Sequence, residues 1–129
     1  MSGIRPNKEQ FIALTNAPDE GPVVMLNLLK FKPREGVSEY NKYGGAAVQM
    51  VEARGGKVLW MGKVDQTLIG DLDADAWDAI ALVEYPNRQA FIDMVSQPDY
   101  QKAHTHREAG LERTVLLATT PADLTPTLP

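Results

Sequence analysis

Asn27, Glu84, His106 and Arg107 are the side chains of this sequence whose chemistry and setting suit acid–base or carbonyl-polarising work. Asn27 is the one polar residue of Val23 to Phe31, VVMLNLLKF, before Lys30. A lone amide in an apolar strand needs partners, and a bound carbonyl that it polarises is one such partner. Glu84 lies near the end of the apolar run Ala79 to Tyr85, AIALVEY. A carboxyl in a part-apolar cavity has a raised pKa and can serve as a general acid or base. His106 and Arg107 offer an imidazole and a guanidinium that can hold a carboxylate or enolate. The catalytic set read from these residues is Asn27, Glu84 and His106, with Trp60, Tyr40, Tyr43 and Arg107 as ligand-binding residues of an aromatic-lined pocket. Each has a plainer role beside it. Glu84 can be solvated or paired with Arg88, His106 can lie at a surface or interface, Arg107 can pair with Glu108 or Glu112, and the aromatics can serve core or dimer contacts.

Metal chemistry finds little support. His104 and His106 are two apart, so on a helix they point to different faces and form no i, i+4 pair. Asp71, Asp73 and Asp75 mimic the start of a calcium loop, but Ala76 stands where the turn needs Gly and Leu82 where the loop needs its bidentate Glu. A solvated loop is expected there, with no metal and no cofactor. The absence of cysteine excludes disulfides, thiolate nucleophiles and cysteine-ligated clusters, and is compatible with a reducing compartment.

The elements that must position these residues follow from periodicity and punctuation. Asn7 and Gln10 mark a helix start, with Phe11, Ile12 and Leu14 giving a short amphipathic helix. Val23 to Phe31 reads as a strand. Ser38 is expected to cap a helix with the stripe Tyr40, Tyr43, Ala47, Met50 and Val51, ended by Gly55-Gly56. Gly44-Gly45 inside it predicts a bend or a close backbone approach. Lys57 to Ile69 reads as a long strand or hairpin arm with Gly62 at a bulge. Ala79 to Tyr85 is an apolar strand stopped by Pro86. Asn87 caps a helix carrying Ala90, Phe91, Met94 and Val95, and Ser96 with Asp99 has the form of a capping box for a further helix through Tyr100, Ala103 and Arg107. Arg113 to Thr119 is the last strand.

With 129 residues and 43% hydrophobic content, the chain can bury one real core. A net charge of −4 supplies no basic stripe for nucleic acid or anionic membranes, and no segment approaches the roughly 18 apolar residues of a membrane span. The opening residues MSGIRPNKEQ lack an apolar signal core, so a cytoplasmic location is expected. The predicted organisation is a helical extension over residues 1–22, a domain over 23–120 and a proline-rich tail over 121–129.

Without the extension, the order is β-α-β-β-α-β, that of an α+β ferredoxin-like sandwich with a four-stranded antiparallel sheet. Alternation groups Met25, Asn27, Leu29 and Phe31 on one face of their strand, and Ile80, Leu82 and Glu84 on one face of theirs. The polar members mark the expected lumen faces, and Ala79 and Ala81 would let helices approach on the other side. Both apolar strands are apolar on both parities, so a homodimer or higher homo-oligomer through the face bearing Asn27 is predicted.

The strings Met25-Leu26-Asn27-Leu28-Leu29-Lys30-Phe31, Tyr40 with Tyr43, Gly55-Gly56 followed by Trp60 and Gly62, Val83-Glu84-Tyr85-Pro86-Asn87-Arg88 with Ala90-Phe91, Pro98-Asp99-Tyr100-Gln101 and His106-Arg107 resemble the domain of unknown function 1330 family, within the dimeric α/β barrel superfamily. The resemblance spans about Val23 to Thr119. It implies a ferredoxin-like dimer and carries no established reaction or catalytic set. His106, on a resembling motif, is the better candidate of the two histidines. Three functions are expected in falling order. The first is a cofactor-independent enzyme acting on a small carbonyl or enolisable molecule in the barrel cavity. The second is a non-catalytic ligand-binding or stress-associated dimer. The third is haem binding or monooxygenase-like chemistry, drawn from the residue types Asn27, Trp60 and His106.

Overall fold

The structure, a computed structural model, describes residues 4–122. Its elements are α1 (Lys8–Asn16), β1 (Val23–Phe31), α2 (Gly36–Ala53), β2 (Lys57–Lys63), β3 (Ala79–Tyr85), α3 (Arg88–Val95), α4 (Pro98–Gly110) and β4 (Leu111–Thr119). The caps show why several begin where they do. The Asn7 side chain accepts from the Gln10 amide at 2.8 Å and the Gln10 side chain accepts from the Asn7 amide at 2.9 Å, a reciprocal box that starts α1. At α3, Asn87 accepts from the Ala90 amide, while the Asp19 carboxylate takes the Arg88 and Gln89 amides. The segment after α1 thus helps cap α3.

Other boundaries differ from expectation. Ser38 lies inside α2, which starts at Gly36 without a side-chain cap. Packing sets that start: a Cβ on Gly36 would sit 2.9 Å from the Gly110 carbonyl oxygen, and one on Gly110 would sit 2.6 Å from that of Gly36. Ser96 does not cap α4; its hydroxyl donates back to the Ile92 carbonyl at 2.7 Å and it ends α3, leaving Gln97 to precede Pro98. The second strand stops at Lys63, and its irregularity falls between Val58 and Trp60. Gly62 instead lies beneath the Trp60 indole, where a Cβ would collide with Nε1. The fourth strand begins two residues early, at Leu111.

The sheet order is β2-β3-β1-β4, antiparallel throughout, with Asn27 opposite both Ala81 and Leu116. This is the predicted α+β ferredoxin-like arrangement, with α3 and α4 together filling the second helical slot. Among the described residues, helices cover one sheet face only. That face carries Val23, Met25, Leu29, Ala81 and Tyr85, all buried, and on it the core forms two clusters. Val23, Met25, Val51, Tyr85, Met94 and Tyr100 make the first. Leu29, Tyr40 and Leu111 make the second.

Asn27 shares the parity of Met25 and Leu29, so it faces the helices and not the open sheet face, contrary to the predicted dimer surface. The bare face carries Val24, Leu26, Leu28, Ile80, Leu82, Val115 and Leu117. The Gly44-Gly45 expectation also changes. Helix α2 runs through both residues, and a Cβ at either would meet nothing within 4 Å. No helix among the described residues is long and apolar enough to cross a membrane. The proline-rich tail falls, from residue 123 onward, outside the described residues.

Candidate functional site

A cavity of about 930 Å³ lies against the core, lined by members of both clusters, among them Met25, Tyr85 and Tyr40. Small residues from different elements leave it: Gly44 and Ala47 on α2, Ala81 on β3 and Ala118 on β4. Asn27 stands on its floor, midway along β1 between the residues of the two clusters. Ile4, Arg5, Phe11 and Leu14 wall one side, so the N-terminal segment forms part of the site.

The polar groups come mainly from one face of α4. Tyr100, Ala103, His104 and Arg107 recur at i, i+3, i+4 and i+7, and all four are buried. Arg107 is 5% exposed. Its Nη1 donates to the Ile4 carbonyl at 3.2 Å and its Nη2 to Thr114 Oγ1 at 3.5 Å, while Thr114 Oγ1 donates to the Leu28 carbonyl at 2.6 Å. The guanidinium carbon lies 5.9 Å from the centre of the Tyr43 ring. The Tyr43 and Tyr100 hydroxyls are hydrogen-bonded at 2.9 Å. Burial raises the pKa of both phenols and pushes Tyr40 up to about 12, so all three remain protonated donors at neutral pH.

His104, 7% exposed, lies against Tyr43 and Tyr100. Burial, then the Arg107 and Arg5 charges, lower its pKa against the opposing pull of Glu108. The imidazole is therefore neutral at pH 7. Glu108 itself is drawn to about 2, chiefly by hydrogen bonds from Arg5 at 2.7 and 2.9 Å. Asn27 Nδ2 makes long hydrogen bonds to the Ala81 and Met25 carbonyls, at 3.3 and 3.4 Å.

The predicted site residues divide among different surfaces. Asn27, Tyr40, Tyr43 and Arg107 share the cavity wall. Glu84 does not join them: its parity on β3 is opposite to that of Ala81, so it faces the bare side of the sheet, 3.8 Å from Lys57. Arg88 is not its partner. His106 points away from the cavity to Glu39, at 3.1 Å, with 43% of its side chain exposed. Trp60 is 60% exposed on the bare face, so the pocket that was to join it to Tyr40 and Tyr43 is not formed. Neither the Asn27, Glu84 and His106 set nor the Asn27, Trp60 and His106 set is assembled. Arg107 pairs with neither Glu108, which Arg5 engages, nor exposed Glu112. The residue missed in the sequence is His104. Its signal was present, because it lies four residues after Tyr100 and three before Arg107, on the apolar stripe.

A family model described as "Domain of unknown function (DUF1330)" matches residues 30–120. The chain belongs to the DUF1330 family. Ile4, Arg5, Phe11 and Leu14, which wall one side of the cavity, lie outside the region matched by the DUF1330 model. A protein of unknown function from Rhodopseudomonas palustris, RPA0582, is 36% identical with a TM-score of 0.87, over 98% of this chain and all of its own. Two more distant structures share the fold. A dimeric ferredoxin-like protein of unknown function from Thermobifida fusca is 14% identical, with a TM-score of 0.56 over 78% of this chain and 92% of its own. The hydroxynitrile lyase of Passiflora edulis is 11% identical, with a TM-score of 0.63 over 81% of this chain and 97% of its own. No curated protein matches the sequence.

Proposed function

We propose that this DUF1330 protein is a homodimer that binds a small amphipathic molecule between the sheet and the helices of each protomer. One observation carries the ligand half of the reading: a cavity of about 930 Å³ with apolar and tyrosine walls and a few convergent polar groups. Ligand pockets commonly run from about 300 to about 1,000 Å³ with this kind of lining. Binding is better supported than acid–base catalysis. The expected pair, Glu84 and His106, is separated, and neither Asp nor Glu among the described residues lines the cavity.

The bare sheet face supports the dimer. Leu26, Leu82 and Leu117 lie side by side across its three linked strands. The charged residues Lys30 and Arg113 lie at one end and Lys57 and Glu84 at the other. Beside it, Leu68, Ile69 and Leu72 are exposed on a loop that Asp71 and Arg113 hold by hydrogen bonds to its backbone. A second copy of the same face is the self-complementary cover for such a surface. The fold neighbour from Thermobifida fusca is described as dimeric, which agrees.

Gly44→Phe tests the ligand site, because a side chain there enters open space at the cavity wall and the change removes a helix-interior glycine. The expected result is a folded variant that no longer binds a neutral solvatochromic dye such as Nile red, against one dye per protomer for the parent. Equal dye binding by both would place the dye outside this cavity and end the ligand half of the reading.

A further inference from the structure

Arg107 carries an unbalanced positive charge into the cavity wall. Burying a guanidinium is costly unless an anion or a full set of hydrogen bonds compensates it. The partners of Arg107 are both neutral, the Ile4 carbonyl and the Thr114 hydroxyl. The other arginine at the cavity, Arg5, is matched by Glu108 in a two-pronged ion pair. With the Arg5 charge offset by Glu108 just behind the wall, with neither Asp nor Glu among the described lining residues, and with His104 neutral, the charge of Arg107 is the one left without a counterion. This occurs in a protein whose overall charge is −4, so it is a local feature and not part of a basic surface.

A second feature points the same way. The Tyr43 and Tyr100 hydroxyls have two protons between them, and their mutual hydrogen bond uses one. The other has no protein acceptor among the described residues. Both rings line the cavity, as do Asn27 and Arg107. The remaining walls are apolar, among them Phe11, Met25, Val83 and Phe91.

We infer that the ligand of this cavity is an aryl or alkyl carboxylate whose anionic group pairs with Arg107 and whose apolar body lies against the Phe11, Met25 and Phe91 wall. This rests on the cavity being a ligand site, and it adds the chemical class. Arg107 supplies a planar, permanently charged fork, the geometry that suits a carboxylate. The spare phenolic proton supplies a further donor to the same anion.

The test is calorimetric titration of the full chain with 4-phenylbutanoate, naphthalene-2-carboxylate and decanoate, each beside its primary amide, which has similar shape and no charge. At least one acid is expected to bind the parent protein about tenfold or more tighter than its amide, the range of one charged hydrogen-bonded contact. Arg107→Gln is expected to remove that preference by weakening the acid while leaving the amide within about threefold, and Arg107→Lys to keep part of it. Acids and amides of equal affinity for the parent would overturn the inference while leaving the cavity a ligand site. The same holds if Arg107→Gln weakens both alike, since Arg107 would then only brace Ile4 and Thr114. If no acid or amide binds while Nile red does and Gly44→Phe abolishes it, the carboxylate class fails alone. If nothing binds in the cavity, both readings fail. The acid-to-amide ratio of the parent needs no variant, so it tests the carboxylate class even if Arg107→Gln misfolds.

Discussion

His104 links the site to the protonation state of the folded chain. Its surroundings lower its pKa from the ordinary 6.5, burial first and then the charges of Arg107 and Arg5, while Glu108 opposes. Between the folded and unfolded values the unfolded chain binds a proton that the native imidazole refuses, so stability falls as pH drops below about 6.5. His104→Phe keeps a ring between Tyr43 and Tyr100 and removes the titration. Thermal melts of this variant are expected to be flatter than those of the parent between about pH 7 and about pH 5. An unchanged profile would show that His104 titrates as it does in the unfolded chain. Glu108 acts in a separate, lower window. Its carboxylate is held down to about 2 from 4.5, so the stability it contributes is present above the upper value and is lost as pH falls toward the lower one.

At the scale of elements, the same Gly→Ala change has opposite expected signs at two places. On α4, a methyl at Gly110 would meet the Gly36 carbonyl oxygen at 2.6 Å and the Tyr40 amide at 2.8 Å, where α2 and α4 approach. Gly110→Ala is therefore expected to cost about 1–3 kcal/mol or more by forcing the backbones apart. On α2, Gly45 has free space around the same position. Gly45→Ala is expected to stabilise by about 0.5–1 kcal/mol, because Ala loses less backbone freedom in a helix interior. Urea unfolding of the two variants beside the parent checks both. Equal effects would mean that crowding at the Gly36 and Gly110 contact does not set the distance between the helices.

For the whole molecule, the decisive surface is the bare sheet face. Leu26 lies at its centre, between Leu82 and Leu117. Light scattering at micromolar concentration is expected to give a dimer for the parent and a monomer for Leu26→Asp, since a carboxylate placed there would be buried unpaired in the interface. A monomeric parent would remove the dimer from the proposed function. The face also separates the two candidate polar positions of the strands, because Glu84 belongs to it and Asn27 to the opposite side.

The order of elements, the caps at Asn7 and Asn87 and the grouping of residues by strand parity were all legible in the sequence, because each depends on neighbours a few positions apart. Met25, Asn27 and Leu29 do share a face, as do Ile80, Leu82 and Glu84. On β3 the small Ala79 and Ala81 marked the helix side, as the structure has it, but which face of β1 meets the helices was not legible. The β1 strand is apolar on both parities, so its own pattern is degenerate, and pairing Asn27 with Ala81 put Glu84 on the other side. The helix stripe of α4 contained His104 and Arg107, but nothing local distinguished a residue over packed core from one over a gap. The cavity exists because Gly44 and Ala47 on α2, Ala81 on β3 and Ala118 on β4, elements far apart in the chain, border the same space. Unfilled volume belongs to the assembled elements together, and so only the tertiary structure decided that Arg107, with no acidic partner, stands at the wall of a cavity.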